Sequence, residues 1–171
     1  METPVGRLLV AADEAGLRRV VFSGGREVAE PQPDWREDDW REDRPGRSAP
    51  LREPIRQLRA FFAGQLREFD LKVAPKGPEF HQRVWRELCK IRYGETISYG
   101  ELARRIGSPN ASRAVGRANG ANPIPIVIPC HRVIGSNGKL TGYGGGLPRK
   151  EFLLALERTQ LPLWRATTSG A

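Results

Sequence analysis

Residues 97–120 read ISYGELARRIGSPNASRAVGRANG. Ser98 stands three residues ahead of Glu101, the Ser-x-x-Glu capping box that opens a helix, and the helix it predicts runs through Ile106 until Gly107-Ser108-Pro109-Asn110 interrupts it. A second helix follows at once, roughly from Ala111 to Gly120. Two helices joined by a short Gly-containing turn form the outline of a helix-turn-helix. Many helical hairpins share that outline, so the side chains must say what it binds.

On the second helix the expected DNA contacts are Ala111, Ser112, Arg113, Ala114, Gly116, Arg117 and Asn119. A major-groove reader would instead spread Asn, Gln and Arg against base edges. Small side chains let a helix backbone approach closely, which a minor groove only ~6 Å wide demands. The expectation is minor-groove binding with little sequence preference. Arg113 is long enough to enter the base stack and fill the gap left by an extruded base, the alternative being an ordinary phosphate contact.

The charge distribution supports a polyanionic partner. Of the net charge of +8, none comes from residues 1–75, which hold 13 basic and 14 acidic side chains, whereas residues 76–171 hold 15 basic and 6 acidic. Between Glu101 and Glu151 there is no carboxylate, yet Arg104, Arg105, Arg113, Arg117, Arg132, Lys139, Arg149 and Lys150 lie there. A merely solvated surface intersperses both signs, so nucleic acid is the favoured partner.

Outward toward the N-terminus, Ala74-Pro75-Lys76-Gly77-Pro78 interrupts regular structure and marks a boundary, giving an N-terminal domain over 1–75 and a C-terminal one over 76–163, with 164–171 as a flexible tail. The spacing of Phe80, Val84, Leu88 and Ile91 predicts a helix over 79–91, on which Cys89 reads as a small buried hydrophobe. Before the boundary, Leu51, Ile55, Leu58 and Phe62 predict a helix over 51–62 stopped by Gly64, and a strand follows over 68–73. Alternation through 5–11 and 17–22 around Asp13-Glu14-Ala15-Gly16 predicts a β-hairpin. Residues 31–50 contain a tandem Asp-Trp-Arg-Glu-Asp at 34–38 and 39–43 and read as an exposed loop.

Toward the C-terminus the chain reads NPIPIVIPCHRVIG over 122–135, a proline-stiffened apolar approach that delivers Cys130 beside His131. A thiol in apolar surroundings is inert unless a base favours the thiolate, and His131 is the histidine near it in sequence. Neighbouring side chains on an extended strand point apart, so the two would meet through a turn at Pro129-Cys130 or through a bridging water, and the water is the favoured route. A carboxylate should orient the imidazole, with Glu151 and Glu157 as candidates. The glycines after Tyr143 could let backbone amides approach a planar ligand.

Composition bounds the rest. With two cysteines and no CxxC spacing, neither a disulfide framework nor a cysteine-ligated zinc is expected. No apolar stretch approaches the roughly 20 residues of a membrane span, so a cytoplasmic protein is expected.

Taken together, ISYGELA at 97–103, SRAVGRANGANP at 112–123, IPCHRVIG at 128–135 and GYGGGLPRKEFLLALE at 142–157 resemble, in order and spacing, the catalytic domain of the O6-alkylguanine-DNA alkyltransferases. The N-terminal hairpin is similar to that family's smaller domain. The resemblance implies an α/β protein: a ribonuclease H-like N-terminal domain with an antiparallel sheet, then a mostly helical, winged helix-turn-helix-like catalytic domain. It implies that Cys130 accepts the alkyl group, His131 is its water-bridged base, Glu157 orients the imidazole and Asn122 is the hinge before the reactive segment. By the same resemblance Arg113 is the intercalating arginine, Tyr99 helps rotate the nucleotide outward, and Tyr143, Gly144, Gly145, Val133, Pro125 and Lys150 line the base pocket. Some relatives carry serine where this chain has Gly144, which leaves the backbone amide as the donor there.

The implied activity is one irreversible transfer per molecule from O6-alkylguanine, and from O4-alkylthymine as well, without cofactor or metal. The implied partner is double-stranded DNA, bound by a monomer with room for cooperative clustering. Three rivals fit less well: a winged-helix regulator would need a better base reader, a Cys-His hydrolase an oxyanion loop, and a lesion-binding relative without transfer would lack the cysteine.

Overall fold

A computed structural model describes residues 1–22 and 49–160, so the tandem repeat and the expected tail lie outside the described residues. The chain divides into two compact units, Met1–Lys76 and Gly77–Ala171.

In the first unit, β1 (Leu8–Asp13) pairs antiparallel with β2 (Gly16–Phe22), from Leu8 opposite Phe22 to Asp13 opposite Gly16. Asp13 closes the turn, accepting from Ala15 N at 2.9 Å and from Arg18 Nε at 2.7 Å. Gly16 has φ of 128°, and a Cβ there would sit 2.2 Å from Lys72 O, so both backbone angle and space require glycine.

The helix α1 (Ala49–Phe62) begins two residues before the sequence spacing suggests, removing Ala49 and Pro50 from the expected loop. Pro50 fits there because a first-turn residue has no intrahelical use for its N–H. The buried stripe is Ile55, Leu58 and Phe61, with Phe61 taking the core place expected of Phe62 and packing 5.3 Å from the Phe69 ring. Gly64, at φ of 75°, lets Gln65 N return to Ala60 O at 2.8 Å and ends the helix.

The expected strand over 68–73 is reduced to one parallel bridge between Leu17 and Val73. Its backbone is satisfied differently: the buried Gln57 amide of α1 donates to Asp70 O at 2.8 Å and accepts from Asp70 N at 2.9 Å. A side chain thus occupies groups that a sheet ladder would have used.

In the second unit, α2 (Glu79–Leu88) buries Val84, Trp85 and Leu88, and the indole N–H of Trp85 donates to Ala118 O at 2.8 Å. The helix stops three residues short of the expected Ile91, which is buried in the turn beyond it. Cys89 caps this helix and is exposed, against the expectation of a buried thiol.

Next come β3 (Ile97–Ser98), α3 (Tyr99–Arg105) and α4 (Ser112–Gly120). The capping box is half formed: Ser98 Oγ accepts from Glu101 N at 3.1 Å, while the Glu101 carboxylate pairs with Arg104 and Arg105. Gly107, at φ of 71°, allows Ser108 N to reach Ala103 O at 2.9 Å and turns the chain into α4. A seven-residue helix does not hold alone, so α3 depends on burial of Leu102 and Ala103. The chain then passes through a 3-10 turn at Cys130–Arg132 into β4 (Val133–Ile134), which pairs in parallel with β3, and the last element among the described residues is α5 (Leu147–Thr159). No helix among the described residues is long and apolar enough to cross a membrane.

Candidate active site

The approach to Cys130 is held by Asn122, whose Oδ1 accepts from Ile124 N at 3.0 Å while Nδ2 donates to Ile128 O at 2.8 Å. Between these points Ile126 has φ of 76°, a left-handed conformation that costs a β-branched residue about 1 to 3 kcal/mol. Burial of Ile124, Ile126 and Ile128 retains it.

Pro129, at φ −81° and ψ 61°, centres an inverse γ-turn closed by Cys130 N to Ile128 O at 2.8 Å. The 3-10 turn follows, with Arg132 N reaching Pro129 O at 3.0 Å. Cys130 and His131 therefore sit in a turn and not on the extended strand that would have pointed them apart.

His131 is fully buried, and its Nε2 lies 2.9 Å from Glu157 Oε1. Glu151 is exposed, so of the two candidate carboxylates Glu157 meets the imidazole. Glu157 Oε2 also accepts from Gly94 N at 2.9 Å, and Arg132 NH2 donates to Oε1 at 2.8 Å. Burial pushes the Glu157 carboxyl upward, but the hydrogen bonds and charges of His131 and Arg132 outweigh it and hold the group at about 2. Burial lowers His131 below the usual imidazole range against the opposing pull of Glu157, so the ring is neutral at neutral pH. A neutral ring donating from Nε2 to a carboxylate carries its lone pair on Nδ1, and that buried atom has no hydrogen-bond partner among the described residues.

Cys130 is 4 % exposed, and burial pushes its thiol up to about 11, opposed by Asn122, Lys150 and the backbone amides of Cys130 and His131. The resting sulfur is a thiol, with groups in place that favour an anion once one forms.

Lys150 is also buried, and its Nζ donates to Val133 O at 2.6 Å and Thr141 O at 2.8 Å, tying the strand after the reactive turn to the segment that opens the glycine run. Burial lowers its ammonium to about 8, against the pull of Cys130.

Residues 79–159 match the family description "6-O-methylguanine DNA methyltransferase, DNA binding domain", and residues 1–75 match its "ribonuclease-like domain". The chain belongs to the 6-O-methylguanine DNA methyltransferase family. A methylated-DNA–protein-cysteine methyltransferase of Methanosarcina acetivorans is 53% identical over 156 residues, 91% of this chain and 94% of the relative. A relative of the same description from Mycolicibacterium paratuberculosis is 65% identical over 108 residues, 63% of this chain and 66% of the relative. Among solved structures, Mycobacterium tuberculosis OGT in complex with DNA is similar at a TM-score of 0.81 and 44% identity, covering 95% of this chain and 93% of that one.

In this methyltransferase, Tyr99 is the first residue of α3 and its hydroxyl reaches toward Thr141 O at 3.4 Å. Gly116 faces the Tyr99 ring, where an added Cβ would lie 3.8 Å from Cδ1, an ordinary van der Waals contact. Arg113 and Arg117 are exposed on α4, while Ala111, Ser112 and Ala114 are half-buried. Asn119, expected among the DNA contacts, is instead buried, with its amide 3.4 Å from Cys130 O, because it lies on the inward face with Val115 and Ala118. Tyr143 is half-buried, Gly144 exposed and Gly145 buried, while Val133 and Pro125 are buried.

The basic stretch is less superficial than its composition suggests, since Arg132 and Lys150 are both interior. Arg132 is the residue that sequence reasoning passed over: its Nε and NH2 grip Glu157, NH1 donates to Ile91 O at 2.6 Å, and its guanidinium lies 5.6 Å from the Tyr93 ring centroid. The available signal was its position inside the apolar run 124–134, where a charge needs a buried partner.

Proposed function

We propose that this protein repairs DNA by transferring the alkyl group of O6-alkylguanine to Sγ of Cys130, one group per molecule. The observation that carries the reading is the order of hydrogen bonds behind the reactive turn: Glu157 accepts from Nε2–H of His131, leaving a buried basic nitrogen one residue from the cysteine. The family's relatives, named for transfer from methylated DNA to a protein cysteine, and the DNA complex of the similar M. tuberculosis protein support the substrate.

The thiol proton passes to Nδ1 of His131 through a bridging water, and the carboxylate of Glu157 stabilises the imidazolium that forms. Asn122 and Lys150 favour the thiolate. Sulfur attacks the sp3 carbon in line, forming the C–S bond as the C–O bond breaks. The electron pair goes to the purine, which takes up a proton in place of the alkyl group, leaving guanine and a thioether. The carbon reached is inaccessible within a stacked duplex, so the nucleotide is everted through the minor groove. Arg113 fills its place, Ala111, Ser112, Ala114, Gly116 and Arg117 provide the close helix surface, and Tyr99 assists rotation. Tyr143 with the Gly144 and Gly145 backbone receives the base, backed by Val133, Pro125 and Lys150. The same attack extends to O4-alkylthymine, and the protein acts as a cytoplasmic monomer.

The test is to incubate the protein with duplex DNA carrying O6-methylguanine and weigh it. A methyl group appears on Cys130 and is absent in Cys130→Ala; an unchanged mass of the wild-type chain overturns the reading.

A further inference from the structure

We propose that Arg132 is a positioning residue for the transfer: its guanidinium fixes the Glu157 carboxylate so that His131 keeps its proton on Nε2 and its lone pair on Nδ1. The inference rests on the transfer reading above and adds a residue to it.

The grip is made from three sides. Arg132 Nε lies 3.1 Å from Oε1 and 3.0 Å from Oε2 of Glu157, and NH2 lies 2.8 Å from Oε1. NH1 is committed elsewhere, to Ile91 O at 2.6 Å, and the Tyr93 ring lies 5.6 Å away. The guanidinium is therefore anchored to the turn after α2 and cannot follow the carboxylate if it rotates. Gly94 N takes Oε2 at 2.9 Å, leaving His131 Nε2 on Oε1 at 2.9 Å. With those acceptor sites occupied by donors, the carboxylate presents an acceptor to the imidazole, which selects the Nε2–H tautomer.

A buried ion pair by itself is weak evidence of anything beyond packing. Here the pair is shared with an imidazole whose other nitrogen is buried without a partner among the described residues, next in sequence to the cysteine. Rotation of the carboxylate or reversal of the tautomer would place a proton on the nitrogen that must accept one. Lysine cannot substitute, because a single ammonium lacks the planar fork that spans Glu157 and Ile91 O together.

The charge of Arg132 has a second effect. The groups acting on His131 are Glu157, which raises its proton affinity, and Arg132 and Lys150, which lower it. Glu157 faces His131 and Arg132, with Gly94 N completing its surroundings. Removing the guanidinium charge lets the His131–Glu157 pair take up a proton at higher pH, whichever member holds it.

The experiment compares wild type, Arg132→Lys and Arg132→Met in single-turnover transfer across pH, and reads the His131 tautomer by 15N NMR in the absence of DNA. Arg132→Lys keeps the acid limb of the pH profile in place but slows transfer on the order of 10- to 100-fold, as for other outer partners that orient an imidazole, and its His131 populates both tautomers. Arg132→Met moves the acid limb to higher pH. A lysine variant with wild-type rate, a slowed lysine variant with the wild-type tautomer, or a folded methionine variant with an unmoved acid limb overturns the assignment. If Arg132→Met does not fold, the lysine variant decides alone. The tautomer needs no substrate, so wild-type protein that accepts no alkyl group would overturn the transfer reading separately.

Discussion

Nε2 of His131 and Oε1 of Glu157 are 2.9 Å apart, and neither residue exposes any surface. In water such a pair would exchange partners with solvent; here it determines which imidazole nitrogen is basic. Glu157→Gln replaces an acceptor-only group with one that can also donate. The glutamine amide can then satisfy Nε2 as an acceptor, reversing the tautomer, so transfer to Cys130 falls by about 10² to 10⁴, the scale of tautomer loss in other His-carboxylate sites. Single-turnover kinetics on O6-methylguanine duplex check this, and a variant within threefold of wild type would remove the orienting role.

Acid should weaken the fold through the same two groups. Glu157 is depressed from 4.5 to about 2 in the folded protein, so its contribution is present above pH 4.5 and is lost as pH falls through that interval toward 2. The full shift corresponds to roughly 3 kcal/mol. His131, lowered from 6.5, acts in the same sense: below pH 6.5 the unfolded chain takes up a proton that the buried ring resists. Denaturant midpoints should decline below pH 6.5 and more steeply below 4.5. In Glu157→Gln the steeper decline should flatten, while the loss of a buried partner for Arg132 lowers stability overall by about 3 to 5 kcal/mol. Parallel pH dependence in the two proteins would exclude Glu157 as the source.

In the transfer reading, Arg113 separates binding from chemistry. Its side chain is exposed on α4, outside the buried hydrogen-bond network behind Cys130. Arg113→Ala should slow transfer from duplex DNA by at least about tenfold, since an unfilled gap leaves the everted state short of a few kcal/mol of stacking, while transfer from free O6-benzylguanine stays near wild type. Equal slowing on both substrates would contradict a role in the base stack.

What could be read from the chain follows from how local each signal is. Ser98 and Gly107 act within one turn of helix, so the limits of α3 were legible from the residues themselves. The strand over 68–73 was not, because its backbone partner is Gln57, a side chain that sequence periodicity treats as surface. Asn119 differs for another reason: it is expected among the groove contacts along with the rest of its helix, although its spacing from Val115 and Ala118 places it on the buried face. Arg132 and Lys150 swelled the count of surface charge while belonging to the interior, and only the packed structure reveals the carbonyls and carboxylate that make their burial tolerable.

Gly144 offers a gain of function. The residue is exposed, its φ lies outside the range that strains L side chains, and a Cβ added there would lie 3.7 Å from Gly120 O, an ordinary van der Waals contact. The backbone therefore admits serine without repacking. In the transfer reading, charge develops on the purine as its C–O bond breaks, and this chain meets that charge at position 144 with a backbone amide alone. A serine hydroxyl adds a donor, and one further donor to a developing oxyanion contributes about 1 to 3 kcal/mol when well aimed. Gly144→Ser should then raise the single-turnover rate by about 5- to 150-fold with a melting temperature within about two or three degrees of wild type. An unchanged rate in a variant of wild-type stability would mean that the leaving base does not present its oxygen to this loop.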